Sequence, residues 1–256
     1  MNMTENKANT TLAGTTAIVT GASRGFGRAI AAGLAAAGAH VVGVARGVTQ
    51  LDELRDELGD RFTPVAGDAA DPEVAVRLID EHRPHTLVLC AGASPTMSSL
   101  PEQTWESFSQ NWNVDVAQAF HWSQRALRRP LAPGSWVFAM SSGAAVNGSP
   151  LSGGYAGAKA AVKFIADYAG IESQRAGLDI RFVSVLPRLT PATELGAKAV
   201  AAYAGRQGID VDTFLQAGGP ALTAEQVGQS VLAIAGGADR DHGAYLLTAA
   251  GLSPLS

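Results

Sequence analysis

With Cys90 as its only cysteine in 256 residues, the chain can form no intrachain disulfide and no multi-cysteine zinc site, and a reducing cytoplasm suits it. Charge is also scarce: 16% of residues carry it, the balance is −4 at pH 7, and lysines and arginines are scattered. A basic footprint for nucleic acid or for an anionic membrane is therefore missing. No apolar run reaches the ~18 residues of a membrane span. Met1 to Thr11 are polar and lack the apolar centre of a signal peptide. No metal-ligand set is evident: His82 and His85 flank a proline with no third ligand nearby.

What the chain does have is apolar content (46%) and 29 glycines, enough for a deep core with tight helix packing. At this length one domain is expected, with residues 1–12 as a flexible tail and 13–256 as the folded unit. Short apolar runs alternate with amphipathic stretches. Strands are expected at Thr15–Thr20, His40–Ala45, Phe62–Gly67, His85–Cys90, Ser135–Ser141, Asp179–Leu186 and near Ala244–Thr248. Helices are expected up to Ala37, around Gln50–Leu58, from Pro72 to about Glu81 behind an Asp71 cap, within Glu102–Arg128, at Gly154–Arg175 and near Glu225–Ala235. Nearly all-apolar strands flanked by helices predict an α/β, Rossmann-type doubly wound parallel sheet of about seven strands, covered on both faces. Residues 187–222 break this rhythm with helical pieces interrupted by Gly205, Gly208, Gly218 and Gly219, and read as a mobile substrate lid over the carboxyl edge.

The first strand runs directly into Thr20-Gly21-Ala22-Ser23-Arg24-Gly25-Phe26-Gly27 and then a helix. Glycines at 21, 25 and 27 allow a turn, close backbone approach to a pyrophosphate and tight helix packing, while the helix N-terminus offers free N–H groups to the anion. A bare glycine turn is common in α/β folds, so it is the context, strand before and helix after, that gives the loop its meaning. NAD sites place a carboxylate at the end of the second strand. Here that strand ends Val44-Ala45-Arg46, so Arg46, with Arg24 opposite, is suited to a 2′-phosphate, and NADP(H) is the expected cofactor. Asp68-Ala69, after the third strand, either meets the adenine or caps a turn.

Ser142 closes the fifth strand, and Tyr155 and Lys159 follow four residues apart on one helix face. A phenol titrates near ~10, and a neighbouring ammonium favours its phenolate. Tyr155 would then exchange a proton with a carbonyl or alcohol oxygen that Ser142 holds, while hydride passes to or from the nicotinamide. Lys159 would also bind the nicotinamide ribose.

Taken together, Thr20–Gly27, Asp68, Ala91-Gly92, Ser142, Tyr155 and Lys159 resemble the short-chain dehydrogenase/reductase family, over about residues 13–250. The resemblance implies a nicotinamide cofactor, a catalytic set of Ser142, Tyr155 and Lys159, and a homotetramer or homodimer packed through the long helices. It also implies cofactor contacts from Gly21, Ser23, Arg24, Gly25, Phe26, Gly27, Arg46, Asp68, Ala69, Cys90, Ala91, Gly92, Tyr155, Lys159, Pro187 and Thr190. Three departures stand out. Cys90 replaces the family's asparagine in Asn-Ala-Gly. Asp115, aligned through Ala119-Phe120, replaces the asparagine that helps order a water beside the lysine, whereas Asn113 faces elsewhere; Asp115 joins the catalytic candidates, able to serve if its backbone carbonyl holds that water and weakening the proton relay if the side chain is needed. Pro187-Arg188 replaces Pro-Gly, with Thr190 or Thr193 left to contact the nicotinamide amide. Three functions compete: an NADP(H)-dependent carbonyl reductase or alcohol dehydrogenase, a catalytically weak NADP(H)-binding regulator or sensor, and a non-redox lyase or epimerase, which would need another acid or base near the nicotinamide pocket. A small carbonyl or alcohol compound is the expected substrate, with no nucleic acid or membrane partner.

Overall fold

The computed structural model describes residues 12–237 and 242–255. Its centre is an eight-stranded sheet of β1 (Thr16–Thr20), β2 (His40–Ala45), β3 (Phe62–Ala66), β4 (Thr86–Leu89), β5 (Trp136–Met140), β6 (Arg181–Pro187), β7 (Ala244–Thr248) and β8 (Gly251–Pro254), in the order β3-β2-β1-β4-β5-β6-β7-β8. The first seven pair in parallel. β8 adds antiparallel to β7, with Thr248 opposite Gly251. The expected count of about seven omits this last strand, because Gly-Leu-Ser-Pro carries little strand propensity. Its proline is tolerated because β8 lies at the sheet edge.

The strands read as continuous apolar runs because both of their faces are covered. Along β1, Ala17 and Val19 join one core cluster while Ile18 joins the other; along β4, Val88 parts from Leu87 and Leu89 in the same way. The first cluster takes in Ile30 and Leu34 of α1 (Gly25–Ala36), Leu51 and Leu54 of α2 (Thr49–Leu58), and Val227, Val231 and Ile234 of α10 (Ala224–Ala235). The second takes in Leu78 and Ile79 of α3 (Pro72–His82) and Trp122 of α5 (Ala117–Arg128). Beside it, Val162 and Ala166 of α7 (Gly153–Arg175) pack with Ala119 and Ala139. Asp71 caps α3 as expected, its carboxylate accepting from Glu73 N–H at 2.9 Å.

Of the expected tail, residues 1–11 lie outside the described part. Leu12 is buried and its N–H donates to Ala37 O at 2.8 Å, so packing begins one residue before the expected boundary. The stretch 102–128 resolves into α4 (Trp105–Asn111), a π-helical stretch Trp112–Val116, and α5. Residues 187–222 form α8 (Glu194–Gln207) and α9 (Val211–Gly218). Gly205 does not interrupt α8; Gly208, at φ +69°, ends it. A short α6 (Ala144–Asn147) follows β5. No helix among the described residues is long and apolar enough to cross a membrane.

Candidate active site

The strand order reverses direction between β1 and β4, and the crevice beyond their carboxyl ends is where open α/β sheets bind ligands. The segments after β1 to β6 put Gly21–Gly27, Arg46, Asp68-Ala69, Cys90–Gly92, Ser142 and Pro187–Thr190 along this one edge. Gly21 sits at φ +68°, and a Cβ there would lie 2.8 Å from Ala91 N; a Cβ at Gly27 would lie 2.2 Å from Gly21 O. The turn is therefore tight enough that only glycine fits at either position. The N-terminus of α1 has no side-chain cap and no acidic residue in its first turn, whereas α3, α4, α8, α9 and α10 are each capped by Asp or Thr. Its N–H groups are thus free for an anion, and the residues present fit the pyrophosphate of a dinucleotide.

Thr20, the last residue of β1, knits the crevice together. Its hydroxyl accepts from Cys90 N–H at 2.9 Å and Ala91 N–H at 3.2 Å, and donates to the Gln118 side-chain oxygen. Gln118 in turn donates to Ala91 O at 2.7 Å. Ser23 and Phe26 are half-buried, with Phe26 packed on the first core cluster. Arg24 is exposed, and its Nη1 lies 2.6 Å from Glu194 Oε2 at the start of α8. Arg46 is exposed just past β2 and forms no ion pair among the described residues. Asp68 caps a turn, accepting from Ala70 N–H at 2.9 Å, and Ala69 O accepts from the Trp122 indole at 2.9 Å.

Ser142 and Lys159 approach through the end of β5. Ser141 Oγ donates to Lys159 O at 2.7 Å, strapping α7 to the strand, and Lys159 Nζ donates to Met140 O at 2.9 Å. Ser142 Oγ accepts from Ala144 N–H at 3.1 Å, and the half-buried Tyr155 ring lies one turn before Lys159, 5.7 Å from its Nζ. Burial disfavours the Lys159 ammonium, but the Asp115 carboxylate, with smaller contributions from Tyr155 and Cys90, outweighs it and holds the group above the usual lysine range.

A family model for short chain dehydrogenases matches residues 15–204. The chain belongs to the short chain dehydrogenase family. L-xylulose reductase of Mesocricetus auratus is 36% identical over 124 residues, 48% of this chain and 50% of that protein, so the chain spans about half the length of that relative. The NADPH-dependent aldehyde reductase-like protein, chloroplastic, of Arabidopsis thaliana is 30% identical over 200 residues, covering 70% of this chain and 74% of that protein. Among solved structures, a dehydrogenase/reductase from Sinorhizobium meliloti 1021 superposes with a TM-score of 0.77 at 25% identity, covering 92% of this chain and 94% of that one. A Beutenbergia cavernae protein described as an NAD(P) dependent gluconate 5-dehydrogenase, solved with NADP bound at low occupancy, gives 0.78 at 27% identity, over 93% and 96%.

In this short chain dehydrogenase the departures from the family pattern acquire definite surroundings. Asp115 is fully buried in the π-helical stretch; its Oδ1 accepts from Ala93 N–H at 2.8 Å and its Oδ2 lies 3.2 Å from Lys159 Nζ. Asn113 is exposed, as the sequence suggests. Burial pushes the Cys90 thiol up to about 11, with Lys159 opposing and Asp115 reinforcing the shift. The buried Thr190 donates its hydroxyl to Leu222 O and accepts from Ala192 N–H at 3.2 Å, tying the two ends of 187–222 together. Thr193 caps α8, and Arg188 is exposed. Pro187 O accepts from Gly143 N–H at 2.9 Å, closing β6 onto the turn after β5.

Thr20, Asn111 and Gln118 were not among the expected site residues, although all three are buried and hold the loop after β4. A signal for two of them exists: Asn111, Asp115 and Gln118 recur at the spacing of a buried helical stripe, with polar residues where apolar ones are usual. Trp122 is a core residue, while Trp112 is exposed.

Proposed function

We propose that the protein is an NADP(H)-dependent oxidoreductase that reduces a small carbonyl compound or oxidises the corresponding alcohol. The observation that supports this reading is the Lys159 ammonium, which donates to Met140 O at the carboxyl end of β5 and lies 5.7 Å from the Tyr155 ring, with Ser142 just past the end of that strand. Bound NADPH supplies the hydride from its nicotinamide. Ser142 donates a hydrogen bond to the carbonyl oxygen and orients it. Tyr155 gives that oxygen its proton as general acid, and takes it back as base in the reverse direction. The Lys159 ammonium favours the tyrosinate left after transfer and has a donor to spare for a ribose hydroxyl, since –NH3+ carries three.

NADP(H) is favoured over NAD(H) by the lack of a carboxylate after β2 and by the exposed Arg46 there, and the Beutenbergia relative holds NADP. Residues 93–100, 143–152 and the proposed lid at 187–222 would wall the substrate pocket. Tyr203 of α8 meets Ser149 hydroxyl to hydroxyl, so the lid contacts the loop that leads into Tyr155. A homodimer or homotetramer would cover the exposed Trp105, Phe120, Phe164 and Tyr168 on α4, α5 and α7. The reading assigns the protein to the cytoplasm.

The test is NADPH oxidation by the purified protein against ketones, aldehydes and quinones, with NADH in parallel. Turnover that vanishes in Tyr155→Phe while NADPH still binds supports the reading. Substantial activity in Tyr155→Phe would sink the mechanism, and tight binding without turnover on any carbonyl would favour a regulatory NADP(H)-binding protein. Arg46→Ala should weaken NADPH by about tenfold or more and NADH little, as expected for a charge-assisted phosphate contact; equal losses would refute the cofactor assignment.

A further inference from the structure

Asp115 is the buried carboxylate closest to the proposed chemistry, and its surroundings define one task. Its Oδ1 accepts from Ala93 N–H at 2.8 Å, and the Asn111 side chain, four residues earlier, donates to Ala93 O at 2.7 Å. The backbone of Ala93 is thus held through both its N–H and its C=O by side chains of α4 and the π-helical stretch that follows it. A Cβ at Gly92 would lie 3.1 Å from both carboxylate oxygens, so the glycine leaves the room that Asp115 occupies. Oδ2 lies 3.2 Å from Lys159 Nζ, its single ion pair among the described residues.

An asparagine side chain would accept from Ala93 N–H as well as a carboxylate does. Hydrogen bonding therefore does not explain the charge; the buried ammonium of Lys159 does, because an unpaired charge in such a site is costly. The groups acting on that ammonium are Asp115 from the π-helical stretch, Tyr155 from its own helix, Cys90 from the loop after β4 and Met140 O from β5. Asp115 is the only carboxylate among them.

We propose that the Asp115 carboxylate is the resident counter-ion of Lys159, holding its ammonium charged and in place while the same side chain clamps the lysine to the loop at Ala93. Asp115 is then a positioning residue that acts through Lys159, and the inference rests on the reading of Lys159 as the lysine of the site. Removing the carboxylate leaves burial to act on the ammonium with less opposition, so Lys159 loses its proton at lower pH.

Asp115→Asn keeps the shape and the acceptor for Ala93 and removes only the charge. The direct readout is NMR of protein labelled with 13C-lysine, in which the Lys159 Cε signal is assigned by its absence in Lys159→Met. The titration midpoint of that signal should fall by about one pH unit or more in Asp115→Asn. The alkaline limb of kcat for carbonyl reduction should move the same way. An unmoved midpoint overturns the proposal. Should Asp115→Asn fail to fold, urea unfolding of Asp115→Asn/Lys159→Met decides: a midpoint recovered toward wild type supports the pair, and losses that add overturn it. A moved NMR midpoint in a protein that turns over no carbonyl leaves the pair standing and sinks the reductase reading. Turnover with an unmoved midpoint does the reverse.

Discussion

Arg24, in the glycine-rich turn after β1, is ion-paired with Glu194 at the first residue of α8, with 2.6 Å between Nη1 and Oε2. The contact joins the proposed cofactor loop to the proposed lid. Lys198 shares the same carboxylate at 2.7 Å and is the main reason that Glu194 titrates below the usual glutamate range, with Arg24 adding to it. If Arg24 also serves a 2′-phosphate, Glu194 competes for it. Glu194→Gln should then tighten NADPH about two- to five-fold at low salt, the range expected of an exposed pair, and leave NADH unchanged. Fluorescence titration of each cofactor reads this; weaker NADPH binding would mean that Glu194 orients Arg24 instead.

The turn itself has no slack at Gly27. Its Cβ would meet a backbone carbonyl, that of Gly21, at 2.2 Å, and no flexible side chain is there to yield. Gly27→Ala should cost about 1–3 kcal/mol of stability, as overpacking does, and weaken both nicotinamide cofactors alike. Urea unfolding with parallel cofactor titrations checks it. Wild-type stability and binding would show that the loop relaxes freely.

Cys90 should be nearly inert toward thiol reagents. The thiolate is the reactive form, and burial raises this thiol to about 11 from an ordinary 9.0. Alkylation of native protein at neutral pH should be slow and should become fast in urea. The sign for stability follows from the same shift. The folded state favours the neutral thiol, so its contribution is complete below the unfolded value and is lost as pH climbs through the folded one, a window of about 9 to 11. Cys90 is half-buried, and rapid labelling of folded protein at neutral pH would contradict the raised thiol.

Much of the fold is legible because its strands are buried on both sides. β2 and β7 fall where the apolar runs put them, and the other parallel strands differ by a residue or two at their ends. β8 escapes notice because an edge strand of four residues needs only one partner and carries no apolar run of its own. The π-helical stretch at Trp112–Val116 is equally silent, since local periodicity does not record one extra residue per turn.

The site divides in the same way. Residue types and spacing alone determine that Tyr155 and Lys159 share a helix face, that glycines line the turn after β1, and that no carboxylate follows β2, because each is a statement about neighbours along the chain. Tertiary structure alone decides what meets Lys159. Asp115 lies 44 positions away in sequence, and only the packing of α7 against the π-helical stretch brings its carboxylate within 3.2 Å of the ammonium. The same holds for Thr20, whose hydroxyl binds the loop after β4 across 70 residues, and for Arg24, which finds Glu194 across 170. Charge pairing and hydrogen bonding act over a few ångströms of space, a distance the linear order of residues does not contain.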